Sequence, residues 1–254
     1  MIGSFLNVVI WRTPNGMSFM RGRSMCPRCR GKIAWYDNIP LLSYVFLGGK
    51  CHSCKKAISL RYPLIEVVTS FVFILVYLAR QNLSGLFGNG LVFEYFGSFG
   101  VVALVFFLVT LSVLICVFVI DLEHQIILDS FSFFGFFITL LFFLAISSPT
   151  FFQNILAAFL AALFLLILHL ITRGRGMGLG DVKFALMGGM IVGLSGVLDW
   201  LFLAFLTGAV VGSILIILGK AKLKQKIAFG PFLVLALVVE IFFGPVLLGL
   251  FGLV

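Results

Sequence analysis

Apolar residues do not alternate with polar ones in this chain; they run in long blocks dominated by Leu, Phe, Val and Ile at 62–80, 99–120, 127–146, 151–172, 197–219 and 228–251. Each block is long enough as a helix to cross a hydrocarbon core about 30 Å thick, which takes roughly 17–25 residues. A shorter Gly-rich run covers 182–196, with a turn expected near 196. The N-terminal stretch MIGSFLNVVIW is about 16 Å long as a helix, too short to span alone, and reads as the end of a first membrane helix that begins upstream. It lacks the basic start and small-residue cleavage site of a signal peptide. The pattern predicts an all-α polytopic membrane protein of about eight transmembrane helices, the first truncated. Residues 1–11 would end that first helix, 12–61 would form a small polar module, and 62–254 would form the membrane core.

Composition agrees: 62% of the 254 residues are hydrophobic, mean hydropathy is +1.22, and only 11% are charged, against about 25% in a soluble domain. The net charge of +9 raises the question of nucleic acid, and the placement of the basic residues answers it. If the chain changes sides at each run, the loops 12–61, 121–126, 173–181 and 220–227 fall on one face, and every Lys and Arg except Arg80 goes with them: those in 12–61, Arg173 and Arg175 before the glycines, Lys183 just after them, and the lysines of 220–227. The other face receives 81–98, 147–150 and the turn near 196. That asymmetry marks the basic face as cytoplasmic. Such a face attracts anionic lipid headgroups or acidic partners, and no nucleic acid is expected.

Within the polar module, CPRC at 26–29 and CHSC at 51–54 form a C-x2-C-x21-C-x2-C pattern. Each knuckle offers two thiolates from one tight turn, and the intervening loop brings the pairs together around a tetrahedral zinc. Cys26, Cys29, Cys51 and Cys54 are therefore the expected ligands of a structural zinc. A catalytic zinc would need an open position that four cysteines do not leave. His52, inside the second knuckle, is either a substitute ligand or a solvated loop residue, and Cys116, in an apolar run, reads as a packing residue.

Two acids stand at membrane edges on the same predicted face. Asp121 opens DLEHQIILD, and Asp181 closes GMGLGD, a stretch in which Gly176, Gly178 and Gly180 allow close approach of a substrate strand. Carboxylates at a bilayer edge cost several kcal/mol unless partnered or hydrated, so their convergence points to a site. Two neighbouring aspartates tend to share one proton; one can deprotonate water while the other hydrogen-bonds a scissile carbonyl. The stretch fails as a dinucleotide loop, since Asp181 stands where the last glycine of G-x-G-x-x-G belongs. Asp129 suits a helix N-cap. Glu66 either pairs with Arg61 or Lys183 near the site or lies at the interface, and His169 reads as an interhelical hydrogen bonder. Asp199 with Trp200 reads as an external interface anchor, while Glu240 has no visible partner.

Together GSFLNVVIWRTP, the knuckles, NIPLLSY, ISLRYPLIE, DLEHQIILD, GMGLGDVKF and FGPFL, in that order, resemble the bacterial type IV prepilin peptidases of type IV pilus and type II secretion systems. The resemblance implies a GxGD membrane aspartic peptidase with Asp121 and Asp181 as the catalytic pair. Gly178, Gly180, Lys183, Glu66 and Asp129 would then lie near the site. It further implies cleavage of a basic prepilin or pseudopilin leader after glycine at the cytoplasmic face, followed by N-methylation with S-adenosylmethionine. Leu128 departs from the family, which often has proline there. No Gly-rich cofactor loop is visible in 12–61. The competing reading is a zinc-stabilised membrane scaffold or small transporter that uses the acids for ion binding, though transporters usually show repeats and midplane sites.

Overall fold

The computed structural model describes residues 1–20, 24–26, 28–34, 36–80, 91–174, 176–219 and 228–250, with side chains except at 80, 91–98 and 245–250. The part of the expected external loop at 81–90 and the basic loop at 220–227 lie outside the described residues. The chain is all-helical and divides into two compact units, Met1–Leu75 and Val76–Val254.

The first unit holds α1 (Ile2–Arg12), a 3-10 turn at Tyr36–Asn38, α2 (Leu42–Phe46) and most of α3 (Arg61–Arg80). Helix α1 lies close against α3, because a Cβ on Gly3 would stand 2.9 Å from the Glu66 Cα. Asn7, 3% exposed, donates its side-chain amide to the Tyr62 carbonyl at 3.1 Å.

Two matching cysteine knuckles complete the unit. In the first, the Cys26 amide donates to the Gly31 carbonyl and the Arg30 amide to the Cys26 carbonyl; in the second, Cys51 donates to Lys56 and Lys55 to Cys51. Each is closed by an antiparallel bridge, Met25 with Lys32 and Lys50 with Ala57. Arg30 (φ 55) and Lys55 (φ 56) occupy equivalent left-handed positions directly after the second cysteine of each knuckle.

The second unit consists of α4 (Leu91–His124), α5 (Asp129–Ala145), α6 (Phe151–Ile171), α7 (Leu179–Ile217) and α8 (Gly230–Leu250). Among the described residues, 4 helices are long and apolar enough to cross a membrane, within Arg61–Ala79, Phe99–His124, Phe151–Ile171 and Leu179–Ile217. Ile2–Arg12, Asp129–Ala145 and Gly230–Gly244 are shorter apolar helices. The protein is a multi-pass membrane protein. Outward-facing Val101, Phe137, Leu163 and Phe202 are exposed, as side chains against lipid tails would be.

Residues 91–98, read from sequence as loop, are helical and belong to α4, whose course breaks at Gly100 (φ 43, ψ −107). Helix α7 breaks at Gly193 (φ 68, ψ −174). A straight helix would hold residues 188 and 200 about 18 Å apart. Instead the chain doubles back and lays the Trp200 ring against Gly188. The short Gly-rich run and the following apolar block are thus two arms joined at Gly193, three residues before the expected turn. Glycine is required there, since a positive φ with extended ψ is open to little else. Asn154, 5% exposed at the start of α6, packs its side-chain oxygen against the same glycine.

Small residues bring α6 and α7 together. Ala157, Ala158 and Ala161 are fully buried, and a Cβ on Gly189 would meet the Ala157 carbonyl oxygen at 2.7 Å. Close backbone approach of this kind is how apolar helices associate in lipid, where the hydrophobic effect gives no drive. Hydroxyls inside the helices are satisfied locally, as when Thr139 donates to the Gly135 carbonyl at 2.8 Å.

Candidate active site

Three loop-to-helix junctions meet at one end of the second unit: the exit of α4, the start of α7 and the start of α8. Ile127 lies between them. A Cβ on Gly180 would stand 2.9 Å from the Ile127 Cβ, and a Cβ on Gly230 would stand 2.9 Å from the Ile127 Cδ1. Asp121 and Asp181 therefore come to the same end of the bundle, and their carboxylates are close enough to interact electrostatically.

Both are buried, Asp121 to 4% exposure and Asp181 to 7%. Asp181 is in the first turn of α7, where its Oδ2 accepts the Gly178 amide at 2.9 Å. A carboxylate at a helix start meets free amides and the positive end of the helix dipole, which holds it in place. Asp121 lies one turn before the end of α4 and faces Gly230, where any Cβ would come within 2.6 Å of its Oδ2. That oxygen is buried and makes no hydrogen bond of good geometry among the described residues, although the Gly230 amide acts on the carboxylate.

The supporting residues fall out differently from the sequence reading. Lys183 Nζ meets Asp129 Oδ2 at 2.6 Å. Asp129 is in the first turn of α5 and is not its cap; the N-cap is Leu128, whose backbone is extended and which makes no side-chain bond, while the Asp129 carboxylate meets Lys183. Glu66, for which the sequence left open a pairing with Arg61 or Lys183 or a place at the interface, accepts the Leu41 amide at Oε2, 2.9 Å away. His169 is satisfied, its Nδ1 lying 2.7 Å from the Met177 carbonyl oxygen, and Cys116 is buried as a packing residue.

Asp199 and Trp200 are not interface anchors. Trp200 is fully buried and donates its indole N–H to the Leu233 carbonyl at 2.9 Å; Asp199 is 6% exposed. The fold-back at Gly193 carries both inward against α8, where Asp199 interacts with Glu240, 2% exposed. Sequence reading gave Gly230 no role, although it lies inside the FGPFL motif.

In the first unit, the sulfurs of Cys26, Cys29, Cys51 and Cys54 all lie within 4.8 Å of one another. Tetrahedral Zn–S bonds of about 2.3 Å place sulfurs about 3.8 Å apart, so the cluster fits a metal ion. Burial raises the Cys26 thiol, but the Cys29 and Arg28 amides and neighbouring thiols outweigh it and hold it below the ordinary value. The Gly31 amide pulls the Cys29 thiol down, but desolvation and the Cys26 and Cys54 sulfurs push it up to about 11. One thiolate thus opposes the next until positive charge arrives. His52 stands outside the cluster, with Nδ1 3.3 Å from Asp37 Oδ2.

A multi-pass helical protein with two buried aspartates meeting at one end, and a four-thiol metal cluster, defines a class of membrane-embedded enzyme. Residues 1–80 match the Bacterial Peptidase A24 N-terminal domain, and 108–213 match the Type IV leader peptidase family. The chain belongs to the type IV leader peptidase family and is a peptidase. It is 31% identical over 269 residues to a prepilin leader peptidase/N-methyltransferase of Pseudomonas aeruginosa, covering 93% of this chain and 84% of that one. A protein of the same name in Bacillus subtilis is 32% identical over 232 residues, covering 91% of this chain and 85% of the relative. One from Myxococcus xanthus is 54% identical over 72 residues, which span 28% of this chain and 22% of the relative. No solved structure matches this chain.

Proposed function

We propose that this protein is an aspartic endopeptidase that removes the basic leader of type IV prepilins or pseudopilins and then N-methylates the new terminus. The supporting observation is the convergence of two buried aspartates from sequence-distant helices, Asp121 against Gly230, where a Cβ would come within 2.6 Å of its Oδ2, and Asp181 against the Gly178 amide. The basic leader lies along the anionic lipid headgroups at the cytoplasmic surface of the inner membrane, while the apolar start of the mature pilin stays in the lipid. Cleavage after glycine suits a site whose own walls are glycine.

In the reaction, the ionised member of Asp121 and Asp181 takes a proton from water as its oxygen attacks the scissile carbonyl. The protonated member hydrogen-bonds the carbonyl oxygen and stabilises the tetrahedral intermediate. Collapse breaks the C–N bond, with a proton passing to the leaving amine. The apparent pKa values belong to the pair and not to either residue. Cys26, Cys29, Cys51 and Cys54 would hold a zinc ion, which would fold the polar module and supply no step of the chemistry. S-adenosylmethionine, when bound, would supply the methyl group to the new amine, with S-adenosylhomocysteine and a proton as the by-products.

Asp121→Asn and Asp181→Asn should each lower cleavage of a prepilin by at least about 10²-fold, since general acid–base groups contribute about 10² to 10⁴ each. Membrane insertion and zinc content should be unchanged. Mass spectrometry of the products checks this, with S-adenosylmethionine adding one CH2 to the mature chain. Wild-type cleavage rates in either variant would exclude the aspartate pair.

A further inference from the structure

The stretch that delivers Asp181 is held from two sides through a single peptide group. His169, half-buried in the last turn of α6, has its Nδ1 2.7 Å from the Met177 carbonyl oxygen. A carbonyl oxygen only accepts, so Nδ1 carries the proton and donates. The same peptide group continues to Gly178, whose N–H donates to Asp181 Oδ2 at 2.9 Å. An unbroken hydrogen-bonded chain therefore runs from the imidazole, through the Met177–Gly178 peptide, to the carboxylate.

The surroundings show that the histidine is there for this bond. From Ile155 to Ile171, His169 is the one residue of α6 that is not apolar, and a leucine would suit that helix equally well. The chain turns back just beyond it at Gly174 (φ 71), whose amide donates to the His169 carbonyl at 2.9 Å. A Cβ on Gly174 would stand 3.2 Å from the imidazole Cε1, so the turn folds closely over the ring. Met177 is 7% exposed, which places its carbonyl on a residue packed into the bundle. Gly178 is the N-cap of α7, and Asp181 already accepts its amide. The bond from His169 is thus not needed to start the helix. What it adds is a second hold on the same peptide plane, at the opposite end. Hydrogen bonds in series also polarise one another, by about 10–30% per bond, and a carbonyl that accepts makes its own amide a better donor.

We propose that His169 is a positioning residue for leader cleavage, acting on Asp181 through the Met177–Gly178 peptide. The inference rests on the aspartate-pair reading above. His169 fixes the tilt of the peptide plane, the Gly178 amide then fixes Asp181 Oδ2, and the carboxylate keeps its orientation toward Asp121 and the scissile bond. The imidazole itself neither gives nor takes a proton in the reaction.

The test uses the full chain in lipid nanodiscs with a prepilin substrate. His169→Leu should lower kcat by at least about tenfold with KM within about twofold, since misplacing a reacting group by near 1 Å costs about 100-fold while substrate binding is untouched. His169→Asn, whose side-chain N–H takes the place of Nδ1, should recover most of the rate. His169→Gln, whose amide reaches the place of Nε2, should not, and this pair carries the comparison if melting temperature shows that the leucine variant fails to fold. A spectroscopic readout is independent of activity. Labelling with carbonyl-13C methionine and 15N-glycine selects the two Met–Gly peptides of the chain, Met177–Gly178 and Met187–Gly188. In solid-state NMR spectra the first signal should move in His169→Leu and stay near its wild-type position in His169→Asn, while the second stays in both. Wild-type kcat in folded His169→Leu, an unmoved Met177–Gly178 signal, or an asparagine variant no faster than the glutamine variant would overturn the proposal. Cleavage retained in Asp121→Asn and Asp181→Asn would instead remove the aspartate pair itself, an outcome separate from any of the His169 readouts.

Discussion

At the scale of single residues, the site depends on what is missing as much as on what is present. Gly230 leaves room for the Asp121 carboxylate, and any Cβ there would press on Oδ2 at 2.6 Å and on Ile127 Cδ1 at 2.9 Å. Gly230→Ala should therefore shift the carboxylate and slow prepilin cleavage about 100-fold, since misplacement near 1 Å costs that much, with little change in melting temperature. Unchanged cleavage would show that Asp121 tolerates movement. Glu240 makes the opposite case. Its Oε1 fills a notch between Gly196 and Gly244, its Oε2 and the Asp199 Oδ2 have no partners among the described residues, and the two acids interact. Burying two like charges together costs stability, so Glu240→Gln should raise the melting temperature by a few degrees. A fall of similar size would mean that the carboxylate itself is required.

At the scale of elements, the twin knuckles and the broken α7 show two ways of holding an unfavourable backbone. Arg30 and Lys55 adopt left-handed conformations that cost about 1–3 kcal/mol each, and a metal ion bound by the neighbouring thiolates would offset this by tying them together. Removal of the metal by a strong chelator should make residues 24–58 sensitive to protease, while the helical circular dichroism of the membrane unit persists. Protease resistance without metal would show that hydrogen bonds alone hold the knuckles. In α7 the break is placed by glycine, and Asn154 and the small residues of α6 hold the first arm. The apolar blocks, the knuckles and the start of α7 at the GxGD stretch were all legible in the sequence, because each is a local pattern. The partners of Asp129, Glu66 and Asp199 were not, because each lies far away along the chain.

For the whole molecule, the helices of the second unit run back and forth between two ends. Ile127, Gly180 and Gly230 meet at one, and Asn154 and Gly193 meet toward the other. The reading that puts the basic loops in the cytoplasm puts the aspartates there as well. Added cysteines in Gln125→Cys and Gly176→Cys should then react with an impermeant maleimide from the cytoplasmic side, and Ser148→Cys from the opposite side. Labelling of all three from one side would refute this topology.

The sequence by itself determined that the chain lives in a membrane, since a hydrocarbon core about 30 Å thick demands apolar runs of a certain length whatever surrounds them. It likewise determined the four-thiol cluster, because metal geometry demands that spacing. Only the tertiary structure decided which acids face each other, that Trp200 and Asp199 turn inward, and that Leu41 is held strained over a cavity. Helices apolar on every side carry no stripe to say which face meets which neighbour. Their rotation and register are set by where glycine and alanine let backbones touch, and that exists only once the helices are packed.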